Sequence, residues 1–299
     1  MFKWIFLLLI FVFCILNILT KFYLSKFIKK LILSIPLFIR DLIGRDREVF
    51  NGYGFWCYCG LGGSGKTLSM VNKLISIKEK YPKVKILTNF TFDNSDSKIN
   101  SWRDLIETTN FWIEEITEKD YKRFIKYNTY SEEKGEIWQE ITEDGELIFK
   151  VKRNHGVIFG FDEIHLTFES TKWEDAPSNL LDYISQQRKF HKLILSTSQV
   201  FTRIDKKLRE QTNFVIECRS YLLGRLCTNK YFDTATYISN GEKMDKGNRR
   251  RRSRKRDVFV AYNFIRNTYN TEEIMKDLKV GKSDSNKLLD LIANYKKGD

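Results

Sequence analysis

Residues Gly60-Leu61-Gly62-Gly63-Ser64-Gly65-Lys66-Thr67 join a glycine-rich backbone to a lysine and a hydroxyl at fixed spacing. Glycines let a backbone curl until its N–H groups surround a polyphosphate. Lys66 then reaches the outer phosphates, and the Thr67 hydroxyl can ligate magnesium. A second constellation, Asp162-Glu163, follows the apolar run Val157–Phe161. An acid at the end of a buried strand can hold the shell of a magnesium ion, and Glu163, one residue on, is placed to polarise an attacking water. The pair has the chemistry of nucleotide hydrolysis, with ATP and Mg2+ as expected cofactors. A third candidate, Gln199, ends the apolar run Leu193–Leu195 followed by Ser196-Thr197-Ser198, where it could sense the terminal phosphate or orient water. Arg188, Arg203 and Arg209 are candidates for a finger reaching a neighbouring subunit's nucleotide, and Arg209 is taken as the catalytic one.

These residues need an α/β frame to position them. Residues 53–59 are β-prone, and Leu68, Val71, Leu74 and Ile75 keep an apolar face at helical spacing after the loop. The order strand, loop, helix predicts a P-loop NTPase with a mostly parallel sheet. Ile86–Phe90 reads as the next strand, residues 178–190 as a helical segment, and Phe214–Ile216 as a further strand after which the pattern weakens. A short strand near Val258–Val260 and helices near 271–278 and 284–296 follow. Acidic residues 104–146 read as an insertion, with Glu143-Asp144-Gly145-Glu146 as a hairpin turn. Cys57 and Cys59 alternate onto one strand face, where cysteine acts as a small apolar residue rather than a metal ligand. His165 gives Asp-Glu-Ile-His a superficial helicase look, but the other helicase motifs are missing, and three histidines in the chain make metal binding there weak.

The chain of 299 residues carries a net charge of +13 with 42% hydrophobic residues, which excludes wholesale disorder. Five cysteines without regular spacing argue against a disulfide framework. The charge is local. Residues 1–49 carry eight basic and three acidic side chains, and residues 246–256 eight basic and none acidic, which accounts for all of it. The body between is neutral, not a basic nucleic-acid coat. Trp4–Thr20 are seventeen uncharged, mainly apolar residues, about 25 Å as a helix, and predict a retained transmembrane anchor over 1–21. A cleaved signal needs a small-residue site, and no alanine precedes Ala176. Lys21, Lys26, Lys29 and Lys30 follow the span and place the remaining chain in the cytoplasm. Residues 22–49 form a basic juxtamembrane segment; 22–40 read as an interfacial helix interrupted by Pro36. An ATPase domain over 50–235 and a basic loop with a small helical region over 236–299 complete the expected organisation.

The run 246–256 repels itself and is expected to be a flexible loop that grips DNA phosphate, binds anionic lipid or is merely solvated. Eight phosphate contacts imply a log-affinity slope of about −7 against log salt. No aromatic residue interrupts the run, so base stacking is not indicated.

Ile86-Leu87-Thr88-Asn89, Asp162-Glu163-Ile164-His165 with Phe168, and Leu181-Asp182-Tyr183 through Gln187-Arg188-Lys189 form a distinctive set. With Ser196-Thr197-Ser198-Gln199, Ile204-Asp205 and Arg209-Glu210, it resembles the zonula occludens toxin-like ATPases of filamentous phages, over roughly 50–225. The resemblance implies an ATPase of the host inner membrane, acting as a ring that extrudes single-stranded phage DNA as coat subunits and other assembly proteins are engaged. It also implies kinship with septal DNA translocases. Familiar members carry the span after the ATPase; here it comes first, and neither a second span nor toxin activity is expected. A translocase moving duplex DNA for packaging or conjugation-like transfer, and a nucleotide-switched membrane scaffold, are the alternatives.

Overall fold

The computed structural model describes residues 23–167, 180–241 and 253–269, together with Ile5, Val12, Phe13, Ile15 and Ile18. The expected anchor over 1–21, apart from those five residues, lies outside them, as do Phe168, most of the basic run and the helices expected beyond 270. Among the described residues, no helix is long and apolar enough to cross a membrane.

The chain runs through α1 (Tyr23–Gly44), β1 (Gly54–Cys59), α2 (Lys66–Lys80), β2 (Lys85–Thr88), β3 (Ser97–Lys98), α3 (Trp102–Glu107) and β4 (Phe111–Ile116). It continues through α4 (Glu118–Lys126), β5 (Ile137–Ile141), β6 (Leu147–Asn154), β7 (Val157–Phe161), α5 (Ile164–Thr167), α6 (Leu180–Ser185), α7 (Gln187–Phe190) and β8 (Lys192–Ser198). A 3-10 turn (Phe201–Arg203), α8 (Lys206–Gln211), β9 (Phe214–Tyr221), β10 (Leu226–Asp233), α9 (Thr234–Gly241), β11 (Lys255–Val260) and α10 (Asn263–Asn267) complete it. Two compact units result, one from Met1–Arg47 with Ile113–Lys152, the other from Glu48–Trp112 with Arg153–Asp299.

The larger unit is built on an eight-stranded sheet of order β11-β10-β9-β1-β8-β7-β2-β3. The strands from β3 across to β9 run parallel, and β10 and β11 return antiparallel. Parallel central strands are covered on both faces, so β7 and β8 are buried at every residue, including the polar Lys192, Ser196, Thr197 and Ser198 of β8. One face packs Met70, Leu74, Ile86, Ile158 and Leu195; the other packs Phe55, Cys57, Phe159, Phe161 and Ile194. Cys57 and Cys59 share that second face, with their sulfurs 3.4 Å apart, and both are free thiols.

The smaller unit holds α1 and the acidic insertion. Tyr121, Phe124, Ile137 and Val151 form its core, and β5 pairs antiparallel with β6 through the turn at 142–146. The end of α1 is fastened within this unit: Thr129 Oγ1 donates to Gly44 O (2.7 Å) and Tyr130 to Asp46 Oδ2 (3.0 Å).

Two expectations need correction. Pro36 does not interrupt the first helix, which runs unbroken through it for 22 residues. The last residues of the run 246–256 are not a flexible loop: Lys255 and Arg256 belong to β11, paired with Tyr231 and Lys230 of β10. Arg254 forms an ion pair with Asp233 (2.8 Å), and Lys255 lies over the Tyr231 ring. A charged outer strand protects the sheet edge from pairing with other chains, so this charge need not be unstructured.

Candidate functional site

The loop after β1 is shaped to receive an anion. Gly65 sits at the N-cap of α2 with φ 79°, a left-handed conformation in which a side chain would be strained. A Cβ on Gly63 (φ 73°) would meet nothing within 4 Å, so the backbone there borders open space. The first turn of α2 contains no acidic residue and Gly65 supplies no side-chain cap, which leaves the helix N–H groups available to phosphate. Lys66 is buried (6% exposed); its ammonium donates to Leu61 O (3.3 Å) and lies 3.9 Å from Glu163 Oε1.

Beside it, the ends of β2, β7 and β8 converge. Asp162 Oδ1 accepts hydrogen bonds from Thr67 Oγ1 (2.8 Å) and Thr197 Oγ1 (2.6 Å). Its backbone is clamped by Asn89, whose Oδ1 accepts from Asp162 N (2.8 Å) and whose Nδ2 donates to Asp162 O (3.0 Å). The N–H of Glu163 donates to Thr197 Oγ1 (2.8 Å). Glu163 itself has φ 47°, a conformation that costs a non-glycine residue on the order of 1–3 kcal/mol and persists where its surroundings impose it. Its Oε2 is buried without a directed hydrogen bond, 3.2 Å from His165 Nδ1.

The hydroxyl of Thr67 and the carboxylate of Asp162 form an oxygen-only pair that suits Mg2+. Among the described residues, no group of three or more His, Cys, Asp or Glu side chains could hold a metal. Two protein oxygens with the rest of the shell left to phosphate and water is the usual arrangement for magnesium bound with a nucleotide.

A cavity of about 1070 Å³ opens over this floor, bordered by Gly63, Gly65, Lys66, Thr67 and Asp162 on one side. Gln199 is not among its lining. It is exposed beyond β8 and borders a smaller cavity of about 350 Å³ with Gly60, Leu61 and Ser64. The residue of β8 that meets Asp162 is Thr197, two positions earlier on the same strand face. Arg209, on α8, lines neither cavity, and its Nε is buried without a hydrogen bond. Arg188 lies over the Tyr53 ring, and Arg203 closes the 3-10 turn.

The far wall was missed by sequence reasoning. It is made by the β9–β10 turn and the segment from Asn263 to Tyr269, including Leu222, Arg225 and Arg266. Burial, reinforced by the Asp162 carboxylate, pushes the Tyr269 phenol up to about 12. No periodic signal marks a five-residue helix and a tight turn; the polar cluster Arg225, Asn263, Arg266 and Asn267 was the available hint.

A mostly parallel mixed sheet with a phosphate loop after its first strand and an acid pair after β7 defines an α/β fold of the P-loop NTPase kind. The profile of the family described as zonular occludens toxin (Zot) matches residues 57–263, more than half of the chain, and the protein belongs to that family. No curated protein sequence matches it. Among solved structures it is similar to the N-terminal domain of zonular occludens toxin from Neisseria meningitidis, at 15% identity and TM-score 0.40, covering 73% of this chain and 100% of that one. It is also similar to the genome packaging NTPase B204 from Sulfolobus turreted icosahedral virus 2 in complex with ATP-gammaS. There the identity is 8% and the TM-score 0.35, over 62% of this chain and 93% of that one. A third similarity is to EssC (ATPases 2 and 3) from Geobacillus thermodenitrificans, at 12% identity and TM-score 0.36, over 82% of this chain and 45% of that one.

Proposed function

We propose that this protein is a membrane-anchored, magnesium-dependent ATPase that powers filamentous phage assembly and the extrusion of single-stranded DNA. It works at the host inner membrane as a homo-oligomeric ring, with phage coat and other assembly proteins as partners. The observation that carries the enzymatic part is the position of Asp162, bonded at once to Thr67 of the phosphate loop and Thr197 of β8. That arrangement brings metal-binding oxygens and the loop lysine to one cavity floor; Glu163 does not line the cavity itself, and its Oε1 lies 3.9 Å from that lysine.

Thr67 and Asp162 would hold Mg2+, which when bound neutralises charge on the β and γ phosphates. Lys66 exchanges the Leu61 carbonyl and the Glu163 carboxylate for phosphate oxygens. Glu163, freed from the lysine, accepts the proton of the attacking water. The strained backbone at Glu163, held by Thr197 and Asn89, aims that carboxylate before the nucleotide arrives.

Family membership supports the assembly role. The membrane reading is supported by α1, in which Leu33 and Phe38 are 62% and 66% exposed on a helix whose first half carries Lys26, Lys29 and Lys30. Such an apolar, basic helix suits an anionic lipid surface. The basic run before β11 supports contact with DNA phosphate.

The test uses the full chain on anionic vesicles, with ATP turnover measured alone and with single-stranded or duplex DNA. Stimulation by single-stranded DNA is expected. Stimulation by duplex alone would replace extrusion with a packaging type of translocation, and nucleotide binding without turnover under every condition would indicate a membrane scaffold.

A further inference from the structure

The cavity over the phosphate loop is larger than phosphates and a metal require; about 1070 Å³ is just above the roughly 300–1,000 Å³ typical of pockets that enclose a whole small molecule. Its far wall is built as a fixed surface. Ser220 Oγ donates to Gly63 O (2.6 Å), tying the end of β9 to the phosphate loop. The turn beyond holds Leu222 and Leu223 at φ 52° and 55°, two successive leucines in the left-handed region. Each costs on the order of 1–2 kcal/mol there, so the surroundings must impose the shape.

Two arginines do so. Arg266 Nη2 donates to Leu223 O (3.1 Å), and Arg225 Nη1 donates to Asn263 Oδ1 (2.6 Å) and Ala261 O (3.2 Å). The segment they grip is anchored elsewhere as well. Ile265 is buried in the core, Asp93 N donates to Thr268 O (2.9 Å), and Tyr269 bridges to Phe92. The cavity therefore has two rigid sides, one polar and phosphate-shaped, the other carrying an apolar lip beside amide groups. Leu222 is 73% exposed on that lip, which is an unfavourable position for leucine until something apolar covers it.

We propose that this wall is the nucleoside subsite of the same pocket, with the base packed on Leu222 and Tyr269 and its polar edge met by the amide of Asn267. The proposal rests on the reading that the phosphates occupy the loop. The subsite favours a nucleoside triphosphate over inorganic triphosphate.

Calorimetric binding of ATP and of inorganic triphosphate to the full chain separates the two readings. Leu222→Gly removes the apolar lip and relieves the left-handed strain, and Asn267→Ala removes an exposed amide, so neither threatens folding. Leu222→Gly should weaken ATP about tenfold, as expected for loss of a buried aliphatic contact, and Asn267→Ala severalfold, with triphosphate affinity unchanged. Unchanged ATP affinity in both variants, or equal weakening of ATP and triphosphate, would overturn the subsite. Lys66→Ala tests the underlying reading independently: it should weaken both ligands, and an unchanged affinity for both would place the phosphates elsewhere whatever the wall does.

Discussion

Thr197 shows how much of this site depends on one hydroxyl. It donates to the Asp162 carboxylate and accepts from the Glu163 N–H, so it fixes the metal-side acid and the base together. Thr197→Val keeps the shape and removes both bonds. A hydrogen bond to a charged group is worth about 1.5–3 kcal/mol, so kcat should fall roughly 10–100-fold with little change in KM. Thr197→Ser should restore most of the rate; loss of folding in both variants, or no loss of kcat in Thr197→Val, would contradict this role. The phosphate loop and the acid pair were legible because their chemistry demands fixed spacing. Thr197 was not, since strand periodicity places Thr197 and Gln199 on the same face and nothing in the sequence marks where β8 ends. The strand stops at Ser198, which leaves Gln199 exposed and Thr197 as the buried member.

At the scale of elements, β1, β2, β7, β8 and β9 were readable because each carries an apolar run, whereas the exposed two-residue β3 (Ser97–Lys98) was not. Of the antiparallel extension, β11 was readable from the run near Val258–Val260, but β10 was not. In β10 the buried positions include Asn229, whose Oδ1 accepts from Ser69 Oγ (2.9 Å), so a satisfied polar residue stands where an apolar one would have signalled the strand. In β11, expected near Val258–Val260, the basic residues hid the extension of the pairing back to Lys255. The start of β8 also carries a buried charge: Lys192 Nζ donates to Leu105 O (2.6 Å) and Ile106 O (2.8 Å), the last carbonyls of α3. Burial pulls this amine from 10.5 down to about 8. Between those values the unfolded chain binds more protons than the folded one, so this group makes stability rise with pH through that window, its cost being fully present below about 8. Buried phenols such as Tyr231, raised to about 12, act in the opposite sense at high pH, so the comparison must be with a variant. Denaturant unfolding from pH 7 to 10 should show wild type gaining stability relative to Lys192→Met. Parallel pH profiles would show that Lys192 does not titrate in this way.

For the whole molecule, the +13 charge divides between residues 1–49 and residues 246–256, and the remaining chain is neutral. On the amino-terminal side, α1 combines exposed Leu33, Leu37 and Phe38 with Lys26, Lys29 and Lys30. The full chain should therefore bind anionic vesicles more tightly than neutral ones, and charge reversal of the three lysines should cost about 1 kcal/mol per lysine or more. Equal partition to both vesicle types in a flotation assay would remove the electrostatic part of that account. How the acidic insertion folds with α1 was invisible to the sequence, because the bonds from Thr129 to Gly44 and from Tyr130 to Asp46 join residues more than eighty positions apart. The central claim is that the cavity floor hydrolyses ATP with Glu163 as the base. Magnesium-dependent ATP turnover by wild type and Glu163→Gln, measured with ATP binding in the same samples, tests it most directly. The account predicts that the variant binds ATP about as well as wild type while its turnover falls roughly 10²–10⁴-fold. Turnover that survives Glu163→Gln undiminished would contradict it.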